Sequence, residues 1–183
     1  MATVASISHE ESIVQNRNTW CLEVGSSYEE YSVNSANRFI KYIKKQPVVD
    51  LGSGDGAATN VFIKNGNKTT AVDINPEKLN CIDGAIKVET DFLTYLTKPL
   101  DNVFMHHALE HYVNYQQVLD AIGKYLKKNK YCYISVPKND HVHSVHHVAF
   151  DSIEEIIPKG LELVASGSTD GAWQEYWIIA RKV

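Results

Sequence analysis

The sharpest chemical signal in the chain is a glycine-rich turn. Asp50-Leu51-Gly52-Ser53-Gly54-Asp55-Gly56 follows the apolar pair Val48-Val49 and precedes a helix-like run from Ala57 to Lys64. Glycines let backbone turn tightly between strand and helix, and let a ligand approach where a Cβ would collide. With Ala57 the segment satisfies the dinucleotide pattern G-x-G-x-x-(G/A). The residue two before Gly52 is Asp50, however, at the strand end. A carboxylate there repels a pyrophosphate and attracts an ammonium or sulfonium. The loop therefore points to a cofactor that carries an amino acid, against the plainer reading of a tight turn.

Three further sets of residues could serve the same ligand or its chemistry. Asp73 closes the apolar run Ala71-Val72. An acid about twenty residues past such a loop can accept both hydroxyls of a ribose, and Asn75 is the better placed residue to cap the helix that follows. Asp91-Phe92 follows a third short strand. Asp91 can accept from an adenine amino group, although a capping Asp before a core Phe reads equally well. His106 and His107 end a fourth strand, and His111 lies one helical turn beyond His107. Histidine suits proton transfer near neutral pH. His107 is the first candidate for a general base or acceptor-orienting residue, with packing as the alternative. His141, His143, His146 and His147 cluster further on. Such a cluster can bind a divalent ion. No cysteine or carboxylate spacing accompanies it, so a solvated, substrate-facing loop without a metal is the expectation.

These residues need a frame. Ser26 and Ser27 offer overlapping capping boxes with Glu29 and Glu30, and Ala36, Phe39, Ile40 and Ile43 share one helical face. A helix should run to about Lys45, stopped by Pro47. Strands are expected at 48–51, 69–73, 85–88, 102–106 and 131–136, with helices between them. Asn75-Pro76-Glu77 is a strong helix start. Val118, Leu119, Ile122, Tyr125 and Leu126 make an amphipathic helix whose basic end, Lys127 to Lys130, reads as a solvated terminus. Asp151 should cap a short helix to about Ile157. Two last strands, 161–165 and 176–180, flank a turn at 166–171. Residues 1–25 read as an irregular polar extension, and 26–183 as one domain. Alternating strands and helices give an α/β fold, a mostly parallel sheet covered on both faces. Its ligands sit outside the carboxyl ends of the strands, where the residues above all lie.

Composition narrows the function classes. The 183 residues carry a formal net charge of −4 and 44% hydrophobic residues. One core fits that length. The slightly acidic balance lacks the footprint of a general nucleic-acid binder. Three scattered cysteines make no disulfide framework, which suits a reducing, cytoplasmic compartment. No apolar run reaches the roughly 18 residues that would cross a bilayer, and Met1 to Ser8 does not read as a signal peptide.

The glycine loop, Asp73, Asp91-Phe92 and the segment Asp101 to His111, with Leu109-Glu110-His111 opening the next helix, together resemble the class I S-adenosylmethionine-dependent methyltransferases over roughly residues 40–183. The resemblance implies a Rossmann-like three-layer sandwich with a seven-stranded mostly parallel sheet, its last strand antiparallel. It implies S-adenosyl-L-methionine as cofactor and S-adenosyl-L-homocysteine as product. Asp50, Leu51 and the backbone of Gly52, Ser53 and Gly54 would hold the methionine part, Asp73 the ribose, and Ile74 the adenine flank. Asp91 and Phe92 would read the adenine edge. His106 and His107 would lie where cofactor and methyl group meet, with His107 and His111 the catalytic candidates. Tyr28 and Tyr31, with Arg17 and Trp20, would fold over the cofactor, where an aromatic face attracts a sulfonium. The implied acceptor is an O or N atom of a small molecule or glycan, not DNA, since no Asn/Asp-Pro-Pro-aromatic motif and no Pro-Cys pair appears. With little inserted beyond the bare fold, the acceptor site would be shallow, or completed by a second subunit of a homodimer or by the substrate. A cofactor-binding protein with a regulatory or assembly role is the alternative.

Overall fold

The computed structural model describes residues 2–19, 26–142, 145–170 and 174–183, and of residues 18, 19 and 26–28 the backbone alone. In chain order the elements are β1 (Thr3–Val4), α1 (His9–Thr19), α2 (Ser26–Ile43), β2 (Val48–Leu51), α3 (Ala57–Lys64), β3 (Thr69–Asp73), α4 (Pro76–Asn80), β4 (Ile86–Glu89), α5 (Phe92–Tyr95), β5 (Asn102–His106), α6 (Tyr115–Tyr125), β6 (Tyr131–Pro137), β7 (Val148–Ala149), β8 (Glu162–Thr169) and β9 (Glu175–Arg181). Short 3-10 turns occupy Leu109–His111 and Ile153–Ile156.

Seven strands form one sheet in the order β4-β3-β2-β5-β6-β9-β8. All neighbours up to β6 pair in parallel, and β9 runs antiparallel to both β6 and β8. This is the Rossmann-like three-layer sandwich expected from the sequence. The period-2 alternation of its strands divides the core in two. Val49, Val103, Met105, Cys132 and Ile134 face α6, where Val118, Leu119 and Ile122 meet them. Val48, Phe104, Tyr133 and Ile179 face the opposite way, onto Phe39 of α2 and Phe62 of α3. Phe104 packs edge-on against Phe62 at 5.1 Å and stacks on Tyr133 at 4.9 Å between ring centroids. Each such buried ring contributes about 1.5–3 kcal/mol. Asn75 caps α4 as expected, its Oδ1 accepting from the backbone N–H of Glu77 at 2.9 Å and of Lys78 at 3.3 Å.

Three expectations need correction. The N-terminal segment is not irregular over His9–Thr19. Ser8 and Glu11 form a reciprocal capping box that starts α1, with Ser8 N–H to Glu11 Oε2 at 2.8 Å and Glu11 N–H to Ser8 Oγ at 3.2 Å. The turn placed at 166–171 starts later, because β8 stays paired with β9 through Thr169↔Glu175. Gly167 permits this: a Cβ there would sit 2.7 Å from the Trp177 ring. The short helix near 151–157 is a 3-10 turn whose N-cap position is Ser152, not Asp151.

Candidate functional site

β2 ends in the middle of the sheet, and its chain leaves through the glycine turn. The N–H groups of Gly52 and Ser53 both donate to the Val72 carbonyl, at 2.8 and 3.1 Å. Gly52, Gly54 and Gly56 have φ of 76°, 53° and 92°, backbone that L side chains rarely adopt. Their surroundings differ. A Cβ on Gly52 would stand 2.6 Å from the Ala108 Cβ, and one on Gly56 2.5 Å from Ile82. At Gly54 a Cβ would meet nothing within 4 Å. Two of these glycines therefore serve close packing, and the third leaves its backbone facing open space. Beside it, Ser53 Oγ is buried with no hydrogen-bond partner among the described residues. A cleft opens here, lined by the loop, Asp50, Asp73, Ile74, Phe92, His106, His107, His111 and Tyr112.

The two acids of the first strands differ in their tasks. Asp50 is 2% exposed, and its Oδ2 accepts from Thr59 Oγ1 at 2.6 Å. Burial raises its carboxyl to about 7; the Thr59 bond opposes the rise and the charge of Asp73 adds to it. Asp73 ties the turn together, Oδ2 accepting from Gly54 N–H and Oδ1 from Asn75 N–H, both at 2.9 Å. Burial raises it too, against the lowering effect of those backbone bonds. Asp91 instead caps α5, accepting from the Thr94 backbone at 3.1 Å, from Thr94 Oγ1 at 2.5 Å and from the Tyr112 hydroxyl at 3.0 Å. It is not among the residues lining the cleft; its neighbour Phe92, stacked on Tyr112 at 4.8 Å, is.

The histidines converge at the carboxyl end of β5. His107 leaves the strand with φ of 46°, a left-handed conformation costly for a side chain of this size. Its N–H still donates to the Ser135 carbonyl at 3.0 Å. Nε2 of His107 lies 3.3 Å from Glu175 Oε2, and Nδ1 of His106 lies 3.6 Å from the same oxygen and 2.7 Å from Ser135 Oγ. Glu175 is 1% exposed, and Arg38 Nη1 approaches its other oxygen at 3.5 Å. Arg38 also donates to Tyr133 Oη at 2.8 Å and lies over the Trp177 ring. Burial holds His106 well below the usual imidazole range, helped by His107 and Arg38.

A second group lies behind the first. His111 presents Nδ1 to the Val145 carbonyl at 2.6 Å and Nε2 to Glu110 Oε1 at 3.9 Å. His146 pairs through Nδ1 with Asp140 and packs edge-on against the His111 ring at 4.9 Å. Burial lowers His111 to about 3, with His146 adding to the effect, and raises Glu110.

The sequence-predicted residues thus divide. Asp50, Gly52, Ser53, Gly54, Asp73, Ile74, Phe92, His106, His107 and His111 border one cleft. The Leu51 side chain goes into the core instead. The side chain of Tyr28, together with Trp20 and His143, lies outside the described residues. Tyr31 lies on α2 and is not among the residues lining the cleft. Ser32 and Asn16 do line it and carry no sequence motif. Asn16 is fixed by Nδ2, which donates to the His111 carbonyl at 2.7 Å. Glu175, the carboxylate facing both β5 histidines, also lies in no recognisable motif. No helix among the described residues is long and apolar enough to cross a membrane.

A profile described as a methyltransferase domain matches residues 29–171. No curated protein matches the sequence. Among solved structures, the 1,6-didemethyltoxoflavin-N1-methyltransferase of Burkholderia thailandensis, with bound 1,6-didemethyltoxoflavin and S-adenosylhomocysteine, superposes with a TM-score of 0.74 at 19% identity, over 99% of this chain and 93% of that one. The N-methyltransferase NodS from Bradyrhizobium japonicum WM9, in complex with S-adenosylhomocysteine, gives 0.73 at 14% identity over 95% and 97%. A SAM-dependent methyltransferase from Archaeoglobus fulgidus gives 0.67 at 20% over 84% and 94%.

Proposed function

The chain belongs to the methyltransferase domain family, and on that premise we propose that it is an S-adenosylmethionine-dependent enzyme that methylates an oxygen or nitrogen of a small molecule or glycan. The observation that carries this reading is the turn at Gly54. Its open backbone, the buried Ser53 hydroxyl lacking a partner among the described residues, and the flanking carboxylates Asp50 and Asp73 border a single cleft. That donor and acceptor set fits an aminoacyl group joined to a ribose better than a diphosphate.

When bound, S-adenosylmethionine supplies an electrophilic methyl group on a sulfonium. The protein's part is alignment and proton handling. In this reading Asp50 attracts the ligand's ammonium, held in place by Thr59, and the Ser53 hydroxyl donates to the carboxylate, since the N–H groups of residues 52–54 are already given to Val72 and Asp73. Asp73 accepts the ribose hydroxyls while anchoring the Gly54 N–H. Ile74 and Phe92 flank the adenine. Asp91 acts at one remove, fixing Tyr112 against Phe92. From the N-terminal extension, Asn16 would border the bound cofactor. The Glu175 carboxylate, with Oε2 3.3 Å from Nε2 of His107, would stabilise the imidazolium formed when His107 takes up a proton. His107 then takes the acceptor's proton as its lone pair forms the new bond to carbon, a role worth about 10²–10⁴ in rate.

The test is a calorimetric titration with S-adenosylhomocysteine and with NAD, followed by transfer assays on a panel of hydroxyl and amine acceptors. Saturable S-adenosylhomocysteine binding, no NAD binding and turnover on a panel member are expected. Tight NAD binding overturns the reading. Cofactor binding without transfer to any acceptor favours a regulatory or assembly role.

A further inference from the structure

We infer that Glu110, His111 and His146 form a site for one divalent transition-metal ion, and that the ion binds a hydroxyl of the acceptor. The inference rests on the cofactor cleft proposed above and deepens it, by committing the acceptor to a hydroxylated compound.

The argument begins with the donor set. One ligand atom from each of the three residues lies within 4.8 Å of the others. Two atoms each bound at about 2.0–2.2 Å to one ion are at most about 4.4 Å apart. The 3.9 Å between His111 Nε2 and Glu110 Oε1 already falls inside that limit. Two imidazoles and one carboxylate suit Zn²⁺, Mn²⁺ or Co²⁺ better than Mg²⁺, which favours oxygen alone.

The surroundings hold these side chains as metal ligands are held. A ligating histidine commonly gives its other ring nitrogen to a carbonyl or carboxylate, which fixes the ring and its tautomer. His111 does so with the Val145 carbonyl at 2.6 Å, and His146 with the Asp140 carboxylate. Glu110 is 1% exposed, and its Oε2 is buried with no hydrogen-bond partner among the described residues. A buried carboxylate oxygen without a partner is costly unless something supplies positive charge. Among the described residues no lysine or arginine pairs with Glu110. The cluster of His106, His107 and Glu175 differs here, because Arg38 already stands 3.5 Å from that carboxylate. The backbone clamps the group as well, with His147 N–H donating to the Glu110 carbonyl at 2.8 Å.

His111 lines the cleft together with His107. An ion held by His111 therefore borders the space for the acceptor, next to the candidate base. There it would acidify an acceptor hydroxyl. The hydroxyl proton passes to His107 and the oxygen lone pair forms the O–C bond. The C–S bond breaks, and its electron pair stays on sulfur as a neutral thioether.

The experiment uses the full chain without a histidine tag, stripped of metal and titrated with ZnCl₂ and MnCl₂ by calorimetry and with CoCl₂ by visible absorption. One ion per chain is expected, with a Co²⁺ spectrum of nitrogen–oxygen ligation. His146→Ala should weaken binding more than tenfold. Asp140→Asn, which removes only the orienting partner, should weaken it about 10–100-fold. Glu110→Gln should behave like His146→Ala, with S-adenosylhomocysteine titration checking that each variant is folded. Absence of stoichiometric binding to the unaltered chain, or equal affinity in His146→Ala, overturns the inference. Cofactor binding without metal uptake removes the metal site alone. Failure to bind S-adenosylhomocysteine removes the cofactor reading, and the ion titration stands apart from it.

Discussion

His107 and Glu175 meet across an intervening strand: Nε2 of the one lies 3.3 Å from Oε2 of the other, with β6 between the strands that carry them. The carboxylate sets a negative charge beside the imidazole ring. His107→Ala should lower kcat by about 10²–10⁴ with little change in S-adenosylhomocysteine affinity. Glu175→Gln should lower kcat while leaving the KM for the cofactor nearly unchanged, because it disturbs the base without touching the ligand. Steady-state kinetics on an identified acceptor checks both, and an unaltered kcat in His107→Ala removes the proton-transfer role.

Cofactor affinity should depend on pH through Asp50. Its carboxyl sits at about 7, so acid leaves it neutral and unable to attract an ammonium. Binding of S-adenosylhomocysteine should weaken as pH falls from about 8 to about 6, and Asp50→Asn should flatten that dependence at a cost of about 1.5–3 kcal/mol. Calorimetry across this range is the measurement.

The same group predicts a stability effect of opposite sense. A carboxyl raised on folding contributes stability below its ordinary value of 3.8 and loses it as pH rises to about 7. Without ligand, Asp50→Asn should therefore gain stability relative to the unaltered chain between those values and hold the gain above them. Denaturant midpoints at fixed pH steps would show a constant difference if Asp50 were not held at this position on the scale.

The two outer faces of the glycine turn should separate by mutation. Gly52→Ala places a Cβ 2.6 Å from Ala108 at φ of 76°, and should cost about 1–3 kcal/mol of stability by overpacking and strain. Gly54→Ala meets no neighbour within 4 Å and should cost less stability, about 1–2 kcal/mol for the left-handed backbone. Its main effect should be on S-adenosylhomocysteine affinity. Paired melting and titration data decide whether fold and ligand respond in this order.

Much of the frame was readable from spacing. The strands 48–51, 69–73 and 102–106 and helix 57–64 follow from short apolar runs punctuated by glycine, Asn-Gly and Asn-Pro, and they deliver Asp50, Asp73 and His107 to the carboxyl end of the central strands. Helix α1 leaves little trace in the sequence because His9–Thr19 has almost no apolar periodicity, although Ser8-x-x-Glu11 is a legible start. Glu175 and the meeting of Glu110 with His146 were beyond reach for a different reason. They depend on a hairpin folding back beside β6 and on a loop returning to the turn after β5, and neither leaves a local pattern. Asp91 shows the remaining ambiguity: a capping acid and an adenine-reading acid have the same sequence, and its bonds to Thr94 and Tyr112 show the cap.

The two-residue ladder between β1 and β7 has a reach larger than its size. Thr3 and Val4 pair with Ala149 and Val148, Ala5 N–H donates to the His147 carbonyl at 2.7 Å, and Asn16 grips the His111 carbonyl. The first strand and helix thus act as a clasp on the histidine loop. Deleting them would free the His147 and His111 carbonyls and loosen one border of the cleft, so protein engineering at Thr3 to Asn16 amounts to engineering of the pocket.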